Sequence, residues 1–295
     1  MTTITLERTN VAATARDYFE LSKSRIVLMV LITTAAGFLF AAKHVDPVLL
    51  VHALIGTALV AAGTNALNQY VERDLDAKMH RTRSRPLPAG RMTPRTALLF
   101  STAIAILGTL YLGVFVNWLT AVLGAFTLTS YIFVYTPLKR VSTICTLVGA
   151  IPGAIPPLMG WTAATNALTP GGWIAFGILF LWQLPHFMAI SWMYRDDYAR
   201  GGFAMLSVRD EDGSAVARQA ILYTFALLAV SVLPWIFGMA GLVYLIGAVV
   251  SGVMLLAAAI RFFHDRDIKH ARSVFMISNL YLLTVMLLLV VNARS

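Results

Sequence analysis

Nine long apolar stretches run along the chain, and each is long enough to cross a lipid bilayer as a helix. A spanning helix needs roughly 20 predominantly apolar residues, whereas a transmembrane barrel would show short segments of alternating polarity. The stretches occupy about 26–42, 48–68, 97–116, 119–138, 143–162, 172–193, 218–237, 241–262 and 272–292. We therefore predict an all-α integral membrane protein, a bundle of nine transmembrane helices.

The composition supports the same class. Apolar residues make up 58% of the 295 residues and charged residues only 13%, where a soluble domain carries about 25% charged residues. This balance excludes a soluble enzyme, a disordered protein and a secreted disulfide scaffold. The single cysteine, Cys145, excludes an internal disulfide.

The basic residues lie almost entirely on one side of the predicted bundle. Of the 23 Lys and Arg residues, only Lys43 and Arg294 fall on the other side. The positive-inside rule makes the charged side cytoplasmic, and an odd number of spans then places the N-terminus in the cytoplasm and the C-terminus outside. Since topology explains the net charge of +9, nucleic-acid binding is not expected.

No apolar stretch appears before residue 26. We expect residues 1–25 to form a cytoplasmic N-terminal arm and residues 26–295 to form one nine-helix domain. Glu7, Asp17 and Glu20 argue against a cleavable signal or a mitochondrial transit peptide. We therefore expect a multi-pass protein of the cell inner (plasma) membrane rather than of a mitochondrial inner membrane.

The segment after the second span carries the first chemical signal. If the helix continues past the membrane surface, Asn68, Glu72 and Asp76 lie at i, i+4 and i+8, within about 80° of one another on one face. Asp74 points away from that face. Carboxylate and amide oxygens at a membrane surface suit a hard cation such as Mg²⁺, which commonly bridges carboxylates to substrate phosphates.

Basic residues follow directly. Arg81, Arg83 and Arg85 supply guanidinium groups that bind anions, so acids, metal and arginines together suit a diphosphate. A solvated, salt-bridged loop is the simpler explanation of such a charged segment. The helical register of the three oxygen-bearing side chains favours the diphosphate site.

Two further pairs lie at the ends of later spans. Asp196 and Asp197 follow the sixth span on the same side, where they are either additional metal ligands or a polar helix end. Tyr135 and Lys139 are spaced i, i+4 at the end of the fourth span. On their own, an aromatic belt and a lysine reaching the interface explain this second pair better.

The fifth and sixth spans contain unusual residues. His186 lies inside an apolar span after Pro185, and ionisable residues at such depth are rare and face the bundle interior. It is either an iron ligand, a proton carrier or a neutral histidine bonded between helices. In the fifth span, Pro152, Pro156 and Pro157 predict a broken helix lining a cavity.

Together these motifs resemble the UbiA-type intramembrane prenyltransferase superfamily over nearly the whole chain. The residues that carry the resemblance are Asn68, Glu72 and Asp76 with RTRSRPLPAGR, then Tyr135-x-x-x-Lys139. The segments WQLPHF and YRDDYARGG look like the branch of that superfamily that farnesylates heme.

The chain departs from the superfamily pattern at two places. The superfamily commonly has Asn-Asp and then an Asp where this chain has Asn68-Gln69 and then Glu72. Its second acidic motif begins inside the sixth helix, where this chain offers His186 and no carboxylate. The second departure puts the metal count in question and fits a site that faces a heme rather than a phenol.

The resemblance implies a Mg²⁺-dependent enzyme that transfers a farnesyl group from farnesyl diphosphate to a vinyl group of heme B. Water adds, pyrophosphate leaves and heme O results. A downstream heme-modifying enzyme or terminal oxidase assembly is the expected partner. Two alternatives stay open: a prenyltransferase acting on an aromatic acid or quinone precursor, and a membrane transporter.

The resemblance also implies the following residue roles. The catalytic residues are Asn68, Glu72, Asp76, Arg81, Arg85, Tyr135 and Lys139. The substrate-binding residues are His186, Lys23, Arg25 and Arg140. The metal ligands are Asn68, Glu72, Asp76, Asp196 and Asp197.

Overall fold

A computed structural model describes residues 13–293, and the regular secondary structure in that range is helical apart from one isolated β-bridge. The helices are α1 (Ala15–Leu21), α2 (Ser24–Ala41), α3 (Pro47–Asp76), α4 (Pro94–Phe115), α5 (Trp118–Thr129), a π-helical turn (Ser130–Tyr135), α6 (Thr136–Leu138), α7 (Cys145–Thr165), α8 (Pro170–Met193), α9 (Arg195–Arg200), α10 (Leu206–Arg209), α11 (Ser214–Ser231), α12 (Leu233–Ile236), α13 (Leu242–Asp265) and α14 (Ile268–Val291).

Nine of these described segments are long and apolar enough to cross a membrane. They are α2, α3, α4, α5 to α6, α7, α8, α11 to α12, α13 and α14. The prediction of a nine-helix membrane bundle is confirmed. Large apolar side chains cover its outside, among them Val114 and Phe133, which are 70% and 75% exposed. Lipid is the solvent that such a surface requires.

The longest helix, α3, sets the position of the polar residues. Asp46 caps its start by accepting hydrogen bonds from the backbone N–H groups of Val48 and Leu49. Its 30 residues span about 45 Å, which exceeds the ~30 Å hydrocarbon layer. The last turns of α3 therefore project from the membrane at the charged end of the bundle, defined here by residues 77–93, 139–144 and 194–213.

Helices α2 and α7 cross with their backbones in contact. A Cβ atom placed on Gly37 would lie 2.0 Å from the Pro157 carbonyl oxygen, and one placed on Gly160 would lie 1.9 Å from the Thr34 carbonyl oxygen. Small residues allow this close approach between membrane helices. The crossing fixes α2, and with it the residues at its N-terminus, against the centre of the bundle.

The prediction of a broken fifth span is wrong. Helix α7 is continuous from Cys145 to Thr165, with Pro152, Pro156 and Pro157 inside it. Prolines are tolerated in membrane helices where neighbours surround the freed backbone groups. Here 67% of the most apolar part of α7 is buried by the rest of the protein. Packing against these neighbours therefore keeps α7 helical despite its prolines.

The described part of the N-terminal arm docks on the bundle. Asp17 accepts hydrogen bonds from the Thr14 backbone N–H and hydroxyl at the start of α1. Arg91 bonds Asp17 at 2.6 Å and Glu20 at 2.8 Å, while Leu21 is fully buried. The boundary at residue 25 stays a prediction, since residues 1–12 of the arm lie outside the described range.

We expect Gly160→Ala to destabilise the protein, because the added methyl group collides with the backbone of α2. Overpacking of this kind costs about 1–3 kcal/mol, so the thermal unfolding temperature in detergent should fall by several degrees. Gly177→Ala is the matched control, since its Cβ would meet only one side-chain atom of Val230, at 3.3 Å. Equal stability of the two variants would contradict the backbone contact.

Candidate active site

One face of α3 carries the predicted oxygen ligands. Asn68, Glu72 and Asp76 are only 1%, 5% and 1% exposed, whereas the side chain of Asp74 is 82% exposed. Their spacing of four residues thus places all three on the inward face, at the charged end of the bundle. The catalytic and metal-binding roles given to them above stay predictions.

Each of these three side chains faces a cation. Lys23 Nζ donates to Asn68 Oδ1 at 2.9 Å, and Lys139 Nζ donates to Glu72 Oε1 at 2.7 Å. Arg85 donates to Asp76 Oδ2, also at 2.7 Å. Three cations lie against two carboxylates and one amide, so the cluster carries one surplus positive charge when all groups are ionised.

Lys23 is the cation of this cluster whose pKa is lowered. Burial, together with repulsion from Arg85 and Lys139, lowers the pKa of Lys23 to about 7, against the opposing pull of Glu72 and Asp76. A buried ammonium with a lowered pKa indicates a site short of negative charge. An anionic ligand would supply that charge.

Lys139 differs from Lys23 because its hydrogen-bond partner, Glu72, is a carboxylate rather than an amide. Although burial opposes its charge, the adjacent Glu72 raises the pKa of Lys139 above the usual lysine value. The ammonium also lies 4.6 Å from the centre of the Tyr135 ring, and the Lys139 carbonyl accepts a hydrogen bond from the Ala204 backbone N–H at 2.7 Å. Lys139 is therefore held charged at the site.

A π-helical turn positions Tyr135. In Ser130–Tyr135 the helix widens, and the Thr136 hydroxyl donates to the Tyr131 carbonyl at 2.8 Å. The rings of Tyr131 and Tyr135 then pack edge to face, 4.9 Å apart. Short π-helical turns are frequent at functional sites, and this one places two aromatic side chains at the edge of the charged cluster.

The donor set on α3 fits a divalent cation. Asp76 Oδ1 is buried without a hydrogen-bond partner among the described residues, and an orphaned carboxylate oxygen of this kind is costly unless something binds it. Two carboxylates and an amide oxygen match the oxygen ligands that Mg²⁺ prefers. Within residues 13–293, no group of three or more Asp, Glu, His or Cys side chains lies close enough to hold a metal, so this mixed set is the best candidate.

Asp197 holds the loop that carries the arginines. Its carboxylate oxygens accept hydrogen bonds from the backbone N–H groups of His80 and Arg81, both at 3.1 Å, and Arg200 pairs with it. Although burial opposes its charge, these contacts hold the pKa of Asp197 below its usual range. Asp196, by contrast, is 85% exposed. In the described part of the chain, neither acid contacts the α3 cluster through a hydrogen bond or ion pair. Their role as metal ligands stays a prediction.

The remaining predicted cations lie further out. The Arg81 guanidinium stacks over the rings of Tyr194 and Tyr198, at 5.1 and 5.8 Å. Arg25 and Arg140 are exposed, and their side chains make no hydrogen bond or ion pair with the cluster among the described residues. Of the predicted anion-binding residues, the structure brings Lys23, Arg85 and Lys139 together on the inward face of α3 and leaves these three on its periphery.

His186 is a residue of α8 that lies apart from the cluster and faces α14. Its Nδ1 atom is 2.9 Å from the Ser278 hydroxyl oxygen, and its ring stacks on Trp182 at 4.7 Å. The Ser278 hydroxyl already donates its proton to the Phe275 carbonyl, so it accepts from His186 Nδ1–H. The lone pair of neutral His186 is therefore on Nε2, which is one of the two nitrogens through which histidine binds metals.

Two polar residues of the site escape prediction from the sequence. Gln69 is buried beside Asn68 and donates to the backbone of α1. Thr136 accepts a hydrogen bond from Asn68 Nδ2 at 3.2 Å. The available signal for Gln69 was its place at a position where the superfamily commonly has Asp, and for Thr136 only a polar residue next to Tyr135.

The chain belongs to the UbiA prenyltransferase family, whose family model matches residues 30–283. A protoheme IX farnesyltransferase of Solibacter usitatus is 48% identical over 277 residues, covering 90% of this chain and 95% of the relative. A protoheme IX farnesyltransferase of Salinibacter ruber is 45% identical, covering 94% of this chain and 98% of the relative.

Solved structures share the fold at low sequence identity. A chain from a study of digeranylgeranylglyceryl phosphate synthase in membranes superposes with a TM-score of 0.78 at 18% identity, covering 94% of this chain and 97% of that one. A UbiA homolog from Archaeoglobus fulgidus, bound to GPP and Mg²⁺, gives a TM-score of 0.66 at 15% identity, covering 92% of this chain and 99% of that one.

We expect Asp197→Asn to loosen the loop that carries Arg81 and Arg85. An amide matches the size of the carboxylate but loses the ion pair to Arg200 and one acceptor oxygen. Hydrogen exchange at the His80 and Arg81 amides should then accelerate. Asp196→Asn is the control and should leave that exchange unchanged; a Mg²⁺ affinity reduced equally in both variants would instead favour a shared role as metal ligands.

Proposed function

We propose that this chain transfers a farnesyl group from farnesyl diphosphate to a vinyl group of heme B, with addition of water and release of pyrophosphate, to form heme O. The observation that carries the proposal is the buried cluster in which Lys23, Lys139 and Arg85 face Asn68, Glu72 and Asp76. The choice of acceptor and prenyl chain follows the relatives named protoheme IX farnesyltransferase.

The charged cluster binds the diphosphate. Lys23, Arg85 and Lys139 provide N–H donors and positive charge at a site from which the surrounding helices exclude water, and there such contacts are strong. Asn68, Glu72 and Asp76 would hold Mg²⁺. When bound, Mg²⁺ supplies charge that offsets the negative charge developing on the leaving diphosphate. Arg81 lies further out and receives the departing pyrophosphate.

The aromatic pair stabilises the prenyl end. As the bond between farnesyl C1 and the diphosphate oxygen breaks, positive charge develops on the allylic carbons. The rings of Tyr131 and Tyr135 lie beside Lys139 at the edge of the cluster, where their π faces stabilise that charge by about 0.5–2 kcal/mol. The apolar interior protects the cation from premature attack by water.

His186 positions the heme. With Nδ1–H bonded to Ser278, the Nε2 lone pair is available as an iron ligand, or after protonation as a partner of a heme propionate. The rings of Trp182 and Phe275 lie 4.7 and 4.8 Å from the histidine ring, and flat aromatic walls of this kind suit a porphyrin. The heme vinyl group then forms a bond to C1 of the allylic cation. Water adds to the resulting carbocation, and the added water releases a proton to leave a hydroxyl group.

The setting of the reaction follows from the charge distribution. The charged end of the bundle faces the cytoplasm and the C-terminus lies outside, in the cell inner membrane. Residues 26–295 act as one catalytic domain behind the arm formed by residues 1–25. Both substrates carry a large apolar part, the farnesyl chain or the porphyrin, and enter from the bilayer. Heme O passes to a heme-modifying enzyme or to terminal oxidase assembly.

The direct test is a mass spectrum of heme extracted after the purified protein is incubated with heme B and farnesyl diphosphate, with and without Mg²⁺. A Mg²⁺-dependent product heavier by one farnesyl group and one water supports the proposal. Unchanged heme from folded protein, with farnesyl transfer to a phenolic acid instead, would shift the function to a quinone precursor. Unchanged heme with no transfer to either acceptor contradicts a prenyltransferase.

Glu72→Gln should reduce the rate of this conversion by at least about 100-fold, as removal of a preorganised charge contact does in other enzymes. The amide cannot pair with Lys139 as an anion or neutralise a bound cation. Asp74→Asn, on the exposed face of the same helix, should retain the parent rate. The comparison is made by product formation at saturating Mg²⁺, and equal rates would rule out the α3 face as the site.

His186→Ala should weaken heme binding and change the heme absorption spectrum, because the iron or propionate loses its partner. Ser278→Ala should give a smaller change in the same direction, since Nδ1–H loses its acceptor and the preferred tautomer is no longer fixed. His264→Ala is the control, because His264 is exposed. A normal spectrum and normal affinity in His186→Ala would refute a heme-binding role.

A further inference from the structure

Gln69 connects α3 to the joint between α1 and α2. The side chain is 1% exposed, and its Nε2 atom donates to the backbone carbonyls of Glu20 at 3.0 Å and Leu21 at 2.7 Å. These carbonyls belong to the last turn of α1, where a helix has no N–H partners of its own to offer. The Glu20 carbonyl also accepts the Lys23 backbone N–H at 3.1 Å, so Gln69 lies one hydrogen bond away from Lys23.

Lys23 occupies an unusual backbone conformation at this joint. Its φ angle is +51°, a left-handed conformation that non-glycine residues rarely adopt and that persists only where the surrounding structure holds it. Directly after the joint, α2 begins at Ser24. The bend directs the Lys23 ammonium inward, to Asn68 Oδ1 at 2.9 Å.

We propose that Gln69 is a positioning residue for Lys23: by fixing the carbonyls at the end of α1, it holds the joint in the conformation that presents the Lys23 ammonium to the diphosphate. Neighbouring residues of α3 thus hold Lys23 at both ends, Gln69 through the backbone and Asn68 through the side chain. The inference rests on the proposed function, in which Lys23 binds the diphosphate.

The chemistry of the contact requires a donor. Both partners of Gln69 are carbonyl oxygens, while its own Oε1 atom is buried without a partner among the described residues. A glutamate of the same size would place an acceptor against two acceptors. Methionine would fill the space and make no hydrogen bond. The two substitutions therefore remove the same contact by different routes, and agreement between them excludes an effect of size or of charge alone.

The first experiment measures pyrophosphate binding in the presence of Mg²⁺ by calorimetry on the detergent-purified full chain. Gln69→Met and Gln69→Glu should each bind about tenfold more weakly, because a misplaced Lys23 ammonium loses its hydrogen bond to the charged pyrophosphate. Gln183→Met is the matched control, since Gln183 is a buried glutamine that also donates to two backbone carbonyls. Hydrogen exchange at residues 22–26 should accelerate in the Gln69 variants only.

The second experiment separates positioning from general destabilisation. If Gln69 acts through Lys23, Gln69→Met should weaken pyrophosphate binding in the parent protein and have no further effect in a Lys23→Met background. An additive loss overturns the inference, as does unchanged binding in both Gln69 variants. A parent protein that binds no pyrophosphate would instead overturn the proposed function, so the two failures are distinguishable.

Discussion

The structure depends on neutralising polar groups at the edge of a lipid-embedded bundle. Glu72 and Asp76 are buried carboxylates, and unpaired charges in such surroundings are prohibitively costly. Lys139 and Arg85 pair with them at 2.7 Å, while Lys23 is held by Asn68. Because the cations come from three separate segments, the requirement for pairing also brings the N-terminal joint, the first charged loop and the end of the fourth span to one place.

Close packing fixes the positions of the segments that carry these cations. The backbone contact at Gly37 and Gly160 fixes α2 against α7, and the carboxylate of Asp197 fixes the first charged loop against α9. Under the proposed function, a substrate diphosphate would therefore meet donors that are already in place. Preorganised charge of this kind lowers the barrier for a step in which charge moves from carbon to a leaving oxygen.

Much of the fold was readable from the sequence because lipid imposes simple rules. Continuous apolar runs gave the nine spans, and the four-residue spacing of Asn68, Glu72 and Asp76 identified their shared face. The sequence could not show that Asn68, Glu72 and Asp76 each pair with a separate cation, because these pairs join residues up to 67 positions apart. The continuity of α7 also depends on its neighbours rather than on its three prolines, and so local rules predicted it wrongly. The role of Asp197 in holding a loop gave no sequence signal distinct from that of a metal ligand.

The contact between His186 and Ser278 has a consequence for how the protein is made. The charged cluster uses residues 23–139, all of which leave the ribosome early. The histidine obtains its defined tautomer from Ser278 of α14, which is synthesised after all the other described helices. The charged cluster can thus assemble while the later helices are still being made, whereas His186 is held by Ser278 only once α14 has joined the bundle. Under the proposed function, the diphosphate site therefore forms before the histidine that would meet heme is held in place.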